Sequence, residues 1–199
     1  HALDRDAIAQ SVARGPFGYP FTGGFSSGSP YYDADSTVYF PFDADKASEM
    51  LAALGLEDTD GNGILNLPET GADFEIDMIY AQDRTEDRKM IDAVTSMLAD
   101  VGLRVAARTV ENVDIASQGG NFNANLRRQQ WVTPQRDTCY HIPIDATCPQ
   151  FHITSEDGSR DLFDFETEMV DAFNVINSTW DPVEAAEAAK TIQKAWTEN

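Results

Sequence analysis

The stretch best equipped for chemistry is DTDGNGILNLPE, residues 58–69. Counted from its first residue, Asp58, Asp60 and Asn62 fall at positions 1, 3 and 5, and Gly63 takes the turn position 6. The carbonyl of Ile64 falls at 7 and Glu69 at 12. This is the ligand spacing of an EF-hand calcium loop, in which hard oxygen donors enclose a hard cation. A Ca2+ ion held this way would be structural, binding at roughly 0.1–1 mM as in extracellular modules. The same residues also suit a metal-free turn, because Asp side chains bond amides two residues on and glycines supply positive φ. Glu69 favours the ion; flanks that read as a helix and a strand, not two helices, favour the turn.

A second set lies in FNANLRRQQWV, residues 122–132. Arg127, Arg128, Gln130 and Trp131 bring bidentate donors, an amide and an aromatic platform to the end of an expected strand, which equips it to bind a ligand. The other reading is a strand rim with solvated arginines. Cys139 and Cys148 are not in a CxxC motif and have no second pair to complete a zinc site. Joined as a disulfide in an oxidising compartment, they would close a short loop worth about 2.5–3 kcal/mol on the chain-entropy model; the alternative is two buried free thiols. The histidines are His1, His141 and His152, and HExxH, GxSxG, the Walker lysine loop and GxGxxG are all missing. Asp161, Asp164 and Glu166 are read as a solvent-facing helical run. No enzyme is expected.

The elements that must position these residues follow from periodicity. Leu3, Ile8 and Val12 mark a first helix, stopped by Gly15-Pro16. Residues 15–42 form a Gly/Pro loop whose aromatics are expected to pin it to the core. A second helix starts near Asp45, with Ala47, Met50, Leu51 and Leu54 on one face and Gly55 as its stop. FEIDMIY (74–80) alternates as a strand. A helix from about Glu86 to Val101 follows, then the strand LRVAARTV (103–110), which together make a βαβ unit with parallel strands. Helices are expected over 162–176 and from Asp181-Pro182 to the end. A parallel α/β sheet binds ligands at the carboxyl ends of its strands, which is where the Arg127–Trp131 set falls.

The totals narrow the partners. With 14 basic against 34 acidic residues among 199, the net charge is −20. Such a surface repels phosphates and anionic lipid, so no nucleic acid partner is expected. No run reaches the roughly eighteen apolar residues of a membrane-spanning helix. The chain opens as HALDRDAIAQSVARG, already in a helical pattern and without a charged-then-apolar leader, which suggests a piece of a longer protein.

Taken together, ALDRDAIAQSVARG, SPYYDADSTVYFPFDADKASEMLAALGL and DTDGNGILNLP resemble the C-terminal half of extracytoplasmic solute-binding proteins of the peptide/nickel ABC-transporter type, family five. IDAVTSMLADVGLRVAARTV, the GGNFN strand entry and FHITSEDGSRDLFDFETEMVDAFNVINSTWDP extend the likeness over nearly the whole chain. The resemblance implies an α/β fold, a periplasmic-binding-protein type II lobe with a mixed, mostly parallel sheet flanked by helices. Residues 1–199 would be a single domain, the second lobe of a two-lobe receptor. Such a receptor closes on a small solute and delivers it to the membrane permease of an ABC importer. It would be a monomer without a required cofactor, periplasmic or extracellular and in some cases lipid-anchored. Peptide-binding members place an aspartate after the strand and its tryptophan. Here Trp131 is followed by VTPQRDTCYH, and Asp137 arrives late. This departure leaves an oligopeptide, a sugar or an opine-like solute open. A calcium-stabilised extracellular interaction module without a transport role is the alternative from another class.

Overall fold

Two helices of this chain end in the same way, and those endings lead directly into the elements that follow. The computed structural model describes residues 1–12, 20, 28–113, 116, 122–126 and 163–198. Helix α2 (Ala44–Ala53) begins at Asp43, whose carboxylate accepts the Lys46 amide at 2.9 Å. It ends at Gly55, with φ of 80°: Gly55 N–H donates to Ala52 O and Leu56 N–H to Leu51 O. Helix α3 (Thr85–Ala99) repeats the ending at Gly102, also at 80°, with Gly102 N–H on Ala99 O and Leu103 N–H on Leu98 O. Both are Schellman endings, which need a left-handed residue just past the helix. Leu98 and Leu103 then pack in the same core cluster. A shorter helix, α1 (Arg5–Val12), is capped by Asp4, which accepts the Ala7 amide at 2.8 Å.

The chain groups into two compact units. The first comprises His1–Pro20, Phe40–Ala116 and Asn121–Arg128. Its sheet has strand order β2-β1-β3, with β1 (Glu75–Ala81) central, β2 (Arg104–Val110) on one side and β3 (Ala124–Asn125) on the other. Both pairings are parallel: Glu75 is opposite Arg104, Ala81 opposite Val110, and Met78 opposite Ala124. The βαβ unit is as the period-two runs predict. Of the third strand expected over 122–132, the described part is short. Asn123 secures it by donating its amide to Asp77 O and accepting the Asp77 amide at its side-chain oxygen, both at 2.8 Å.

Alternation along β1 sends side chains to two cores. Ile76 packs with Phe74, Leu65, Leu98, Leu103 and Ala47, while Ile79 and Ala81 pack with Val110, Val113 and Phe122. Ile79 is fully buried, and burying such a side chain contributes about 1.5–3 kcal/mol. Helix α2 buries Ala47 and packs Leu51, but Met50 and Leu54 are exposed. The predicted face was too wide, because among the described residues the helix packs on this core through the line of Ala44, Ala47 and Leu51.

The second unit comprises Phe21–Tyr39, Ser117–Gly120 and Gln129–Asn199. Helices α4 (Asp164–Ser178) and α5 (Pro182–Glu198) form a hairpin. Asp181 caps α5 by accepting the Val183 amide at 2.9 Å, with Pro182 at the first helical position as its sequence implies. Met169, Ala172 and Phe173 pack against Ala188, Ala189, Ile192 and Ala195, where small residues let the helices approach closely. Glu166 does not face solvent as predicted: it is buried, and its carboxylate accepts the Phe163 amide at 3.0 Å. Tyr31 and Tyr32 pack on this core, so in this part the aromatic loop is pinned as expected. Fully buried Gln193 fastens it: its Oε1 accepts the Asp33 amide at 3.0 Å, and its Nε2 donates to Tyr31 O at 2.8 Å. Thr197 Oγ1 accepts the Val38 amide at 2.9 Å.

Two substitutions test these fastenings. A Cβ at Gly102 would lie 2.8 Å from Leu65 Cγ in a backbone conformation that L side chains rarely adopt. Gly102→Ala should therefore destabilise by about 1–3 kcal/mol in urea unfolding. Gln193→Leu leaves the Asp33 amide and Tyr31 carbonyl without their partner and should cost about 1–3 kcal/mol. Unchanged midpoints would contradict either account.

Candidate functional site

The carboxyl edge of the parallel sheet is where this architecture places a ligand. There β1 ends at Ala81 and β2 at Val110, held together by Gln82 N–H donating to Val110 O at 3.1 Å. The polar residues that leave the two strands, Gln82, Asp83, Arg84, Glu111 and Asn112, are exposed. Behind them α3 starts, and the positive end of its dipole lies at the same edge. Asp87 in its first turn is buried, 3.9 Å from the Arg84 guanidinium. The sequence reading omitted this polar set. The available signal was its position, directly after a period-two strand and before a helix, where a βα loop of a parallel sheet must lie.

On the third strand the described chain reaches this edge at Leu126, whose amide donates to Ile79 O at 2.9 Å. Arg127, Arg128, Gln130 and Trp131 lie outside the described residues, as do Cys139 and Cys148. Along one face of the sheet, Arg108 grips the Asp77 carboxylate through Nε and Nη2 at 3.0–3.2 Å. Arg104 spans Glu75 at 2.7 Å and Asp73 at 3.0 Å. These pairs are about half exposed, so each contributes 0–1 kcal/mol at most. A recess of about 230 Å3 lined by Gly63, Ile64, Thr95, Gly102 and Leu103 opens at the opposite, amino end of β2 and so does not serve the carboxyl edge.

The Asp58 loop is a closed hydrogen-bond network. Asp58 Oδ1 accepts the amides of Gly61 at 2.7 Å and Asn62 at 3.1 Å, and its Oδ2 accepts that of Gly63 at 2.9 Å. Asp60 accepts the Asn62 amide and its Nδ2, both at 3.1 Å. Asn62 Oδ1 accepts the Ile64 amide at 2.8 Å, and its Nδ2 also reaches Asp73 at 3.2 Å. Gly61 and Gly63 sit at φ of 77° and 86°, which this winding requires. Buried Asn66 finishes the network, accepting the Thr59 amide and hydroxyl and donating to Asp73. The loop thus brings together Asp58, Asp60 and Asn62. Among the described residues, no group of three or more His, Cys, Asp or Glu side chains is placed to hold a metal ion. The oxygens that would ligate an ion are instead directed at the loop's own amides.

Those amides, Gly63 foremost, hold the Asp58 carboxyl below its ordinary value against some desolvation. A carboxyl depressed on folding stabilises at pH values above the unfolded carboxylate range, about pH 4, and loses that contribution as pH falls through the depressed value. Asp58→Ala should therefore lower Tm at pH 7 and narrow its gap to wild type in acid. In the full-length protein, Tm should be the same in EDTA and in millimolar calcium. A site with a Kd near 0.1 mM would instead add about 1.4 kcal/mol at about 1 mM calcium, and a rise of that size would restore the ion.

With this geometry in hand, comparison with known proteins is informative. Residues 1–144 match the family described as bacterial extracellular solute-binding proteins, family 5 Middle. The chain is 32% identical to the periplasmic alpha-galactoside-binding protein of Rhizobium meliloti, over all of this chain and 30% of that protein. Among solved structures it is similar to the periplasmic binding protein MelB of Agrobacterium fabrum in complex with stachyose. That likeness has 35% identity and a TM-score of 0.90, covering 99% of this chain and 30% of that one. The oligopeptide-binding protein AppA of Bacillus subtilis, in complex with a nonapeptide, shares the fold at 23% identity and a TM-score of 0.77, covering 99% and 38%. The chain therefore spans about a third of the length of its relatives. It belongs to the bacterial extracellular solute-binding proteins of family 5.

Proposed function

We propose that the whole protein is the extracytoplasmic receptor of an ABC importer for an α-galactoside oligosaccharide, and that this chain supplies one wall of its solute cleft. The observation that carries the reading is the 32% identity to an alpha-galactoside-binding protein and the 35% identity to a protein solved with stachyose, each over essentially all of this chain. Oligopeptide binding is supported only at the level of fold. The residue chemistry agrees with a neutral solute: where peptide-binding members carry an aspartate after the tryptophan, here Trp131 is followed by VTPQR and Asp137 comes late.

In this reading Trp131 is the stacking platform for a sugar ring, whose axial C–H face is apolar and suits an aromatic surface. Arg127, Arg128 and Gln130 donate to ring hydroxyls, as do Gln82 and Arg84, while the Asp83 carboxylate accepts from them. Binding is uniform and non-covalent, with no reaction to catalyse. Closure on the solute marks the receptor as loaded for the permease, and the protein works outside the cytoplasmic membrane, as its relatives do.

Titration calorimetry on the full-length protein decides the solute class. Stachyose should bind, and a nonapeptide should not. Trp131→Ala should weaken stachyose binding by about tenfold, as loss of one aromatic contact of about 1–1.5 kcal/mol requires. Peptide binding in place of stachyose would overturn the assignment, and unchanged affinity in the variant would remove Trp131 from the cleft.

A further inference from the structure

Asn62-Gly63 is a dipeptide made for spontaneous deamidation, because glycine sets no side chain between its nitrogen and the preceding carboxamide. In that reaction Gly63 N loses its proton and bonds to Asn62 Cγ. The Cγ–Nδ2 bond breaks, and the nitrogen leaves with that proton as ammonia. Water then opens the succinimide to aspartate or isoaspartate at position 62. Both residues are exposed, and a Cβ built on Gly63 meets nothing within 4 Å, so that side of the glycine is open.

The folded loop nevertheless engages each reacting atom. Gly63 N–H, the nucleophile's proton, donates to Asp58 Oδ2 at 2.9 Å. Asn62 Oδ1 is held by the Ile64 amide at 2.8 Å, and the departing Nδ2 by Asp60 and Asp73 at 3.1 and 3.2 Å. Ring closure must break the bond to Asp58 and develop negative charge on nitrogen beside the Asp58 carboxylate, which Coulomb repulsion opposes. We propose that Asn62 is a latent modification site guarded by Asp58: the closed loop suppresses its deamidation, and loop opening releases it.

The product locks the change in. A carboxylate at position 62 has no N–H to offer Asp60 and Asp73 and instead faces both as a like charge. It also meets the end of a chain of contacts that runs through Asp73 to Arg104 on β2. Each event therefore leaves a loop that recloses poorly, so isoaspartate at 62 records past opening of this corner.

The test is the rate of appearance of aspartate and isoaspartate at position 62, read by peptide mass spectrometry after incubation in mildly alkaline buffer. Four full-length samples are compared: native, urea-unfolded, Asp58→Ala and Asp60→Asn. The native protein should convert at least about tenfold more slowly than the unfolded chain, as expected from one hydrogen bond to a charged group. Asp58→Ala should approach the unfolded rate. Asp60→Asn, which leaves the Gly63–Asp58 bond in place, should stay near the native rate. Equal native and unfolded rates would overturn the proposal even if Asp58→Ala failed to fold. So would a slow Asp58→Ala, or an Asp60→Asn as fast as Asp58→Ala, since the guard would then be the loop in general.

Discussion

Everything in the first unit depends on β1 being paired in parallel on both of its edges. A parallel neighbour cannot be reached by a tight hairpin, so the chain must cross back over the sheet between strands. Helix α3 makes that crossing between β1 and β2. The constraint also collects all the strand ends at one edge, where loops can meet a ligand, and all the strand starts at the other. The Asp58 loop and the Schellman ending at Gly102 lie at the start edge; Gln82–Arg84 and Glu111–Asn112 lie at the end edge. The structural loop network and the proposed solute edge therefore lie at opposite ends of the strands.

At the start edge, backbone amides engage the same side-chain oxygens that the EF-hand spacing offers. Asp58 neutralises three orphan N–H groups, Asn62 and Asn66 relay the network, and Asp73 hands it to Arg104 on β2. Leu65 N–H on Gly102 O and Phe74 N–H on Leu65 O stitch the same segment to the helix ending and the strand. The ligand-like spacing and the turn chemistry look alike in sequence because both demand side-chain oxygens at alternate positions and glycine where φ is positive.

That ambiguity shows where the sequence is legible and where it is not. Helix ends at Gly55 and Gly102 and the start at Asp181-Pro182 are local chemistry, and each is found within a residue or two. Strand period and the parallel βαβ reading also hold, because alternation and helix length are local. Met50, Leu54 and Glu166 mislead because burial depends on what packs opposite, which no window of sequence contains. Gln193 is invisible for the same reason: a polar residue on a helix reads as solvated until Tyr31 and Asp33, some 160 positions away, are found against it. The polar set at Gln82–Arg84 lacks any motif and is located only by topology. The family, by contrast, is legible from short motifs in combination, although no one of them carries it.

The central claim is that solute binds at the carboxyl edge of this sheet, and amide hydrogen exchange of the full-length protein with and without stachyose tests it most directly. The account predicts added protection at Gln82–Arg84 and Glu111–Val113, with the amides of 58–66 unchanged. Protection confined to Gly63–Ile64 and Leu103–Val105, or none at saturating stachyose, would contradict it.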